Sequence, residues 1–157
     1  MNREIEGLTP MAHGAQNRCF GCGLENATGL KLEFFLAENG TVVSFPNVED
    51  CFEGPPRYLH GGIIATLLDE AMSKAVRTRG VMAMTRQMGI DYRRPVPSSK
   101  MVRLEGEVVR DEGRKHWTEA RIMNDKGDIL ASATGLFVEV RPDKMLGRNT
   151  KDRPSVS

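Results

Sequence analysis

The sequence is poor in the features that define several large classes of protein. Its 157 residues include only three cysteines, an odd number that argues against a disulfide framework and is typical of a reducing compartment. No uninterrupted apolar run is long enough to span a bilayer. The first residues, MNREIEGLTP, lack the apolar core of a signal peptide. We therefore expect a cytoplasmic protein without a membrane partner.

The sequence also lacks an excess of positive or of negative charge. The chain has 22 basic and 21 acidic residues, which gives a formal net charge of +1. This balance argues against a general polyanion binder, so no nucleic-acid partner is expected. Any recognition of phosphate groups would have to come from a few Arg or Lys side chains gathered at one place.

What the sequence does contain predicts one α+β domain. A hairpin over 30–36 and 41–45 is followed by a helix from 61 to about 79, which Gly80 ends. Period-two patterns then predict four strands, over 83–92, 101–110, 116–123 and 129–140. We assign residues 1–18 to an arm or short helix, 19–141 to the domain, and 142–157 to a disordered polar tail.

The predicted helix carries the most informative stretch, LHGGIIATLLDEAM. On a helical wheel the apolar side chains occupy one sector, which must face the sheet. Asp69 points away from the centre of that sector, and Glu70 lies nearer its edge. For such a pair a solvated polar face is the ordinary interpretation.

Two features favour a functional site instead. Asp is a poor residue for the middle of a helix, so its use there suggests a specific demand. Gly61 and Gly62 let another group approach the backbone N–H groups at the positive end of the helix, which suit an anion or a developing oxyanion. Asp69, two turns on, could then act as nucleophile or general base on a carbonyl. Because Asp69 faces away from its own sheet, we expect a second copy of the chain to complete the pocket.

Together with CFGCGLENATGLKLEFF before it and IDYRRPVP after it, this stretch resembles the hot-dog-fold acyl-CoA thioesterases. The phenylacetate-degradation and 4-hydroxybenzoyl-CoA types are the most similar, and the resemblance covers residues 19–140. It implies a curved antiparallel sheet wrapped around one long central helix, with protomers joined as dimers or tetramers. It also implies an acyl-CoA substrate and no separate cofactor, since coenzyme A is part of the substrate.

The resemblance implies roles for particular residues. Gly61 matches the position whose backbone N–H polarises the thioester carbonyl, and Asp69 matches the catalytic carboxylate. Thr85 matches a hydroxyl that helps to position the water from the partner subunit. His60 resembles an orienting residue for the loop and carbonyl, and Gly62 belongs to the same substrate-binding turn.

Other substrate-binding positions follow the family less closely. Arg93 and Arg94 lie where members place basic groups near the coenzyme A phosphates, although two arginines at a strand end are more often merely solvated. Many members carry Asn or Gln six residues before the histidine. Here that position is Gly54, with Glu53 beside it.

The CFGCG segment resembles half of a zinc knuckle. A four-ligand site would need Cys51 together with His13, His60 or His116, and the spacing of these residues is wrong. We therefore predict no metal, with Cys19 and Cys22 as semi-buried residues of a turn.

Three functions remain open. The leading prediction is hydrolysis of an acyl-CoA thioester by Asp69, with Glu70 as the alternative catalytic carboxylate. The glycine at position 54 motivates a non-catalytic acyl-CoA-binding module. A hot-dog dehydratase is the least favoured, because that chemistry calls for a histidine facing the carboxylate and His60 instead precedes the helix.

Overall fold

The computed structural model describes residues 5–14, 17–141 and 143. One antiparallel sheet has the strand order β1-β2-β3-β5-β6-β7-β4 and packs against a single helix, which confirms the predicted α+β class. The elements are β1 (Thr9–Pro10), β2 (Phe35–Leu36), β3 (Val42–Ser44), α1 (Gly61–Arg77), β4 (Ala83–Tyr92), β5 (Arg103–Glu112), β6 (Lys115–Met123) and β7 (Ile129–Glu139). Within this part of the chain, no helix is both long and apolar enough to cross a membrane.

The differences from the sequence prediction lie mainly near the N-terminus. The arm, expected to be irregular or helical, contributes β1, which pairs with β2. The hairpin of β2 and β3 forms as predicted but with shorter strands, and its turn contains Gly40 at a positive φ of 86°. Of the predicted disordered tail, only Asp143 lies among the described residues, so its disorder stays a prediction.

The helix rests on the middle of the sheet through backbone contact. Its buried side chains are Ile64, Leu67, Leu68, Ala71, Met72, Ala75 and Val76. Opposite them on β5 lies Gly106, where an added Cβ would come within 2.5 Å of the Ala71 carbonyl oxygen. The helix can therefore lie this close only because position 106 has no side chain. This contact also sets the height of Asp69 and Glu70 above the sheet.

Strand β4 forms one edge of the sheet. It pairs with β7 along its whole length, with an irregularity between Thr85 and Gln87. Its other edge has no strand partner among the described residues. A long edge strand with unpaired backbone groups is a surface on which another chain can add.

We predict that Gly106→Ala lowers the free energy of unfolding by about 1–3 kcal/mol, because the added methyl group forces the helix away from the sheet. Urea unfolding followed by circular dichroism measures the change. Gly89→Ala is the matched control, since an added Cβ there meets only the Thr134 hydroxyl at 3.6 Å, an ordinary contact. Equal losses in the two variants would contradict the close packing described at Gly106.

Candidate active site

A small closed loop delivers the chain to the start of α1. Glu53 forms an antiparallel bridge with Leu59, and the His60 N–H donates to the Phe52 carbonyl at 3.0 Å. Leu59 is buried in the core, which anchors the loop. The loop thus fixes His60 as the residue that caps the helix.

His60 organises the helix N-terminus through two acceptors. Its Nδ1 accepts a hydrogen bond from the Gly62 N–H at 2.9 Å, and its carbonyl accepts from Ile63 and Ile64. The Gly61 N–H has no acceptor within the part of the chain that the structure describes. One backbone donor at the positive end of α1 therefore has no partner in this part of the chain, whereas the Gly62 N–H is already bonded to His60.

Tyr92, the last residue of β4, also contacts this turn, and sequence reasoning missed it. Its hydroxyl donates to the Gly61 carbonyl oxygen at 3.0 Å, and its ring lies 3.7 Å from where a Cβ on Gly61 would be. The contact joins residues 31 positions apart. No local pattern could have revealed it, because only the antiparallel return of β4 beside the helix brings the two together.

Asp69 and Thr85 lie together in one chain. The Thr85 hydroxyl donates to Asp69 Oδ1 at 2.6 Å, across the gap between α1 and β4. Asp69 is half-buried and Thr85 is exposed. The resemblance places the threonine on the partner subunit, whereas here it orients the carboxylate of its own chain. If the site lies between two subunits, Asp69 and Thr85 therefore come from the same subunit, and the other subunit contributes a different group.

The distance along the helix identifies that other group. Gly61 and Asp69 are eight residues apart, which at 1.5 Å per residue is about 12 Å along the axis. One thioester carbonyl is too small to contact both the Gly61 N–H and the Asp69 carboxylate of the same helix. Within one chain the free donor and the oriented carboxylate are therefore too far apart to act on one carbonyl, and we refer to them as two half-sites.

Glu53 and Gly54 are explained by local packing. The Ser98 hydroxyl donates to Glu53 Oε1 at 2.5 Å, so this carboxylate already has a partner. A Cβ on Gly54 would lie 3.2 Å from the His60 Cα, which is closer than side chains normally come. An amide side chain at this position, which the resemblance leads us to expect, would therefore push on the residue that caps the helix.

Arg93 and Arg94 directly follow Tyr92 and reach into solvent. Arg93 pairs with Asp91 at 2.8 Å, and Arg94 pairs with Asp128 at 3.3 Å. Both guanidinium groups are more than half exposed. Exposed pairs of this kind contribute little to stability and are readily exchanged for another anion.

Glu70 belongs to a different environment from Asp69. Its carboxylate oxygen Oε2 lies 3.6 Å from the Cys19 sulfur, and the Cys22 sulfur lies within 4.8 Å of the same carboxylate. Burial raises the pKa of the Cys22 thiol to about 11, and the neighbouring Glu70 carboxylate adds to the rise. The structure thus brings the two cysteines of CFGCG to a helix carboxylate, not to Cys51, which contacts Glu49.

Two open clefts in the described part of the chain lie away from Asp69. One of about 400 Å³ is lined by Leu30, Phe45 and Met101 among others, and one of about 570 Å³ by residues between Ala27 and Phe52. Neither includes Gly61 or Asp69 in its lining. A substrate held at Asp69 would need a second wall, in agreement with the two half-sites.

Known proteins are similar to this chain in both architecture and sequence. The thioesterase superfamily profile matches residues 57–131, which include the helix and β4. A solved protein of that superfamily is 30% identical, with 71% of this chain and 86% of that chain covered and a TM-score of 0.64. A Bacillus halodurans protein solved with CoA is 28% identical, with coverages of 73% and 78% and a TM-score of 0.65.

A curated relative extends the likeness to nearly the whole chain. Acyl-coenzyme A thioesterase THEM4 of Xenopus laevis is 34% identical over 143 residues, which is 88% of this chain and 63% of that protein. Across the rat, cattle, mouse and frog proteins of that name, the chain spans between 41% and 63% of the relative's length.

Proposed function

Because the chain belongs to the thioesterase superfamily, we propose that it hydrolyses an acyl-CoA thioester to free coenzyme A and a carboxylic acid. The observation that carries this proposal is the Asp69 carboxylate, oriented by Thr85 on the open side of a helix whose first N–H is free. The name of the frog relative and the CoA in the Bacillus halodurans structure support acyl-CoA as the substrate class.

In this proposal the Gly61 N–H holds the thioester carbonyl oxygen. The positive end of α1 stabilises the negative charge that develops on that oxygen during attack. Tyr92 and His60 hold the turn in place through the Gly61 carbonyl and the Gly62 N–H, so the donor needs little rearrangement when the oxyanion forms.

Asp69 supplies the attack, either on the carbonyl carbon or by taking a proton from water. Because the Thr85 hydroxyl donates to Asp69 Oδ1, the other carboxylate oxygen, Oδ2, is the one free to act. If Asp69 attacks the carbonyl carbon, the carbon–sulfur bond breaks to leave a mixed anhydride on Asp69, which water then hydrolyses. If Asp69 acts as the base, the hydroxyl of water adds to the carbonyl carbon before the carbon–sulfur bond breaks. On either route the thiolate of coenzyme A takes the proton from water and leaves as a thiol, and the hydroxyl of water ends in the acid. A thioester is already activated toward acyl transfer, so this reaction calls for no metal.

We propose that each catalytic site forms between two subunits. Gly61 of one subunit would hold the carbonyl, and Asp69 with Thr85 of the other would attack it, because about 12 Å separates the two half-sites within one helix. A two-fold axis beside β4 runs the two helices in opposite directions and creates two equivalent sites. The unpaired edge of β4 and its exposed Met84 support this surface as the contact.

Arg93 and Arg94 are the proposed contacts for the coenzyme A phosphates. They follow Tyr92 at the end of β4 that touches the start of α1. A phosphate could replace Asp91 or Asp128 as the partner of either guanidinium, since these exposed pairs are weak and Arg matches phosphate geometry.

We predict that Asp69→Asn lowers kcat for acyl-CoA hydrolysis by about 10²- to 10⁴-fold, because the amide can neither attack nor accept the proton from water. Thiol release from a panel of aryl and aliphatic acyl-CoAs measures the change and identifies the acyl class. Asp125→Asn, in the exposed turn before β7, is the matched control and should keep wild-type activity.

Other results would assign the function differently. Full activity in Asp69→Asn with loss in Glu70→Gln would move the chemistry to Glu70. Tight acyl-CoA binding without thiol release by the folded wild type would support the binding module. Loss of water with the thioester retained would support a dehydratase.

We predict that Met84→Lys shifts the protein from a dimer or tetramer to the monomer and lowers thiol release in parallel, because a buried charge opposes the contact along β4. Multi-angle light scattering measures the mass. Val109→Lys is the control, since Val109 is exposed to nearly the same extent, 50% against 53%, but lies on β5. A fully active monomer would contradict the shared site.

A further inference from the structure

We propose that Cys19, Cys22 and Glu70 bind one zinc ion, which ties the N-terminal loop to α1 on the side of the helix away from Thr85. Their three ligand atoms, two sulfurs and a carboxylate oxygen, lie within 4.8 Å of one another. The proposal concerns a site separate from the thioesterase chemistry, which uses Asp69.

The spacing of these atoms suits tetrahedral zinc. With a zinc–sulfur distance of about 2.3 Å and a zinc–oxygen distance of about 2.1 Å, the sulfur–oxygen edge of a tetrahedron is about 3.6 Å. The Cys19 sulfur and Glu70 Oε2 are 3.6 Å apart. Thiolate together with carboxylate is a ligand set that zinc accepts, whereas magnesium and calcium favour oxygen alone.

Two glycines shape the loop around the carboxylate. A Cβ on Gly21 would lie 2.6 Å from Glu70 Oε2, so a side chain at position 21 would displace the Glu70 carboxylate from its place beside the cysteines. A Cβ on Gly23 would lie 2.5 Å from the Cys19 backbone nitrogen, which shows how tightly the turn closes. The Leu32 N–H donates to the Gly21 carbonyl oxygen at 2.9 Å, which ties the loop to the segment that follows it.

Neighbouring groups complement a charged site. The Asn17 amide donates to the Cys22 sulfur at 3.5 Å, a contact that stabilises a thiolate ligand and orients it. Lys74, one helical turn after Glu70, offsets part of the rise in the Cys22 pKa that burial and the Glu70 carboxylate cause. Because Cys22 is buried and Cys19 is exposed, metal would enter from the Cys19 side, and water could fill the fourth position.

The competing interpretation is a pair of protonated thiols that donate to one carboxylate. Thiols are weak hydrogen-bond donors. Hydrogen bonding to one carboxylate therefore does not by itself explain why two cysteines are placed beside Glu70. The sequence predicts no metal at CFGCG, because the remaining ligands that it offers, Cys51 and the histidines, have the wrong spacing. The structure supplies the third ligand from a helix 51 residues away from Cys19.

The test measures metal directly and does not depend on thioester hydrolysis. Wild-type protein, purified without chelator, is expected to contain about one zinc per chain by mass spectrometry of the metal. After chelation and addition of cobalt, a thiolate-to-cobalt charge-transfer band should appear in the near ultraviolet. The control Cys51→Ser changes the exposed thiol outside the cluster and should keep both signals.

Cys19→Ser is the decisive variant, because Cys19 is exposed and its loss leaves the core intact. We expect it to raise the zinc dissociation constant more than about tenfold. Glu70→Gln, checked for folding by circular dichroism, should do the same. A metal-free wild type that takes up no zinc, or equal zinc affinity in Cys19→Ser and Cys51→Ser, would overturn the proposal, whatever the thioesterase assay gives.

Discussion

The close approach of α1 to β5 is the constraint on which the rest of the structure depends. Because Gly106 has no side chain, the backbone at Ala71 lies directly on the sheet. The apolar face of the helix is then fully covered, and only the flanks remain for chemistry. Asp69 and Glu70 precede Ala71 by two residues and one, so their positions above the sheet follow from this single contact.

Successive helical residues are turned by about 100°, so the two adjacent carboxylates face different surroundings. Asp69 meets the hydroxyl of Thr85 on the β4 side, whereas Glu70 meets the thiols of the N-terminal loop. Two adjacent carboxylates of the sequence, Asp69 and Glu70, therefore lie in different environments in the fold. This separation supports the assignment of the thioester to Asp69 and of a metal to Glu70.

Much of the fold could be predicted because its signals are local. The helix start on His60, the bounds of β4 and the turn at Gly40 all follow from periodicity and glycine placement. Residues that act through distant contacts could not be found this way. Tyr92 touches Gly61 only because β4 returns beside the helix, and Cys19 meets Glu70 only because the loop crosses its other flank. The glycine at position 54 looked like a lost amide, and its close approach to His60 became visible only in three dimensions.

We propose that one thioester bridges the free N–H of Gly61 and the Asp69 carboxylate across a subunit boundary. A crystal structure of the Asp69→Asn variant with an acyl-CoA analogue, in which a methylene group replaces the thioester sulfur, tests it most directly. We expect the analogue's carbonyl oxygen to lie within hydrogen-bond distance of the Gly61 N–H of one subunit, with its carbonyl carbon facing position 69 of the other. An analogue whose carbonyl lies away from Gly61, or within a single chain at the cleft beside Leu30 and Phe45, would contradict it.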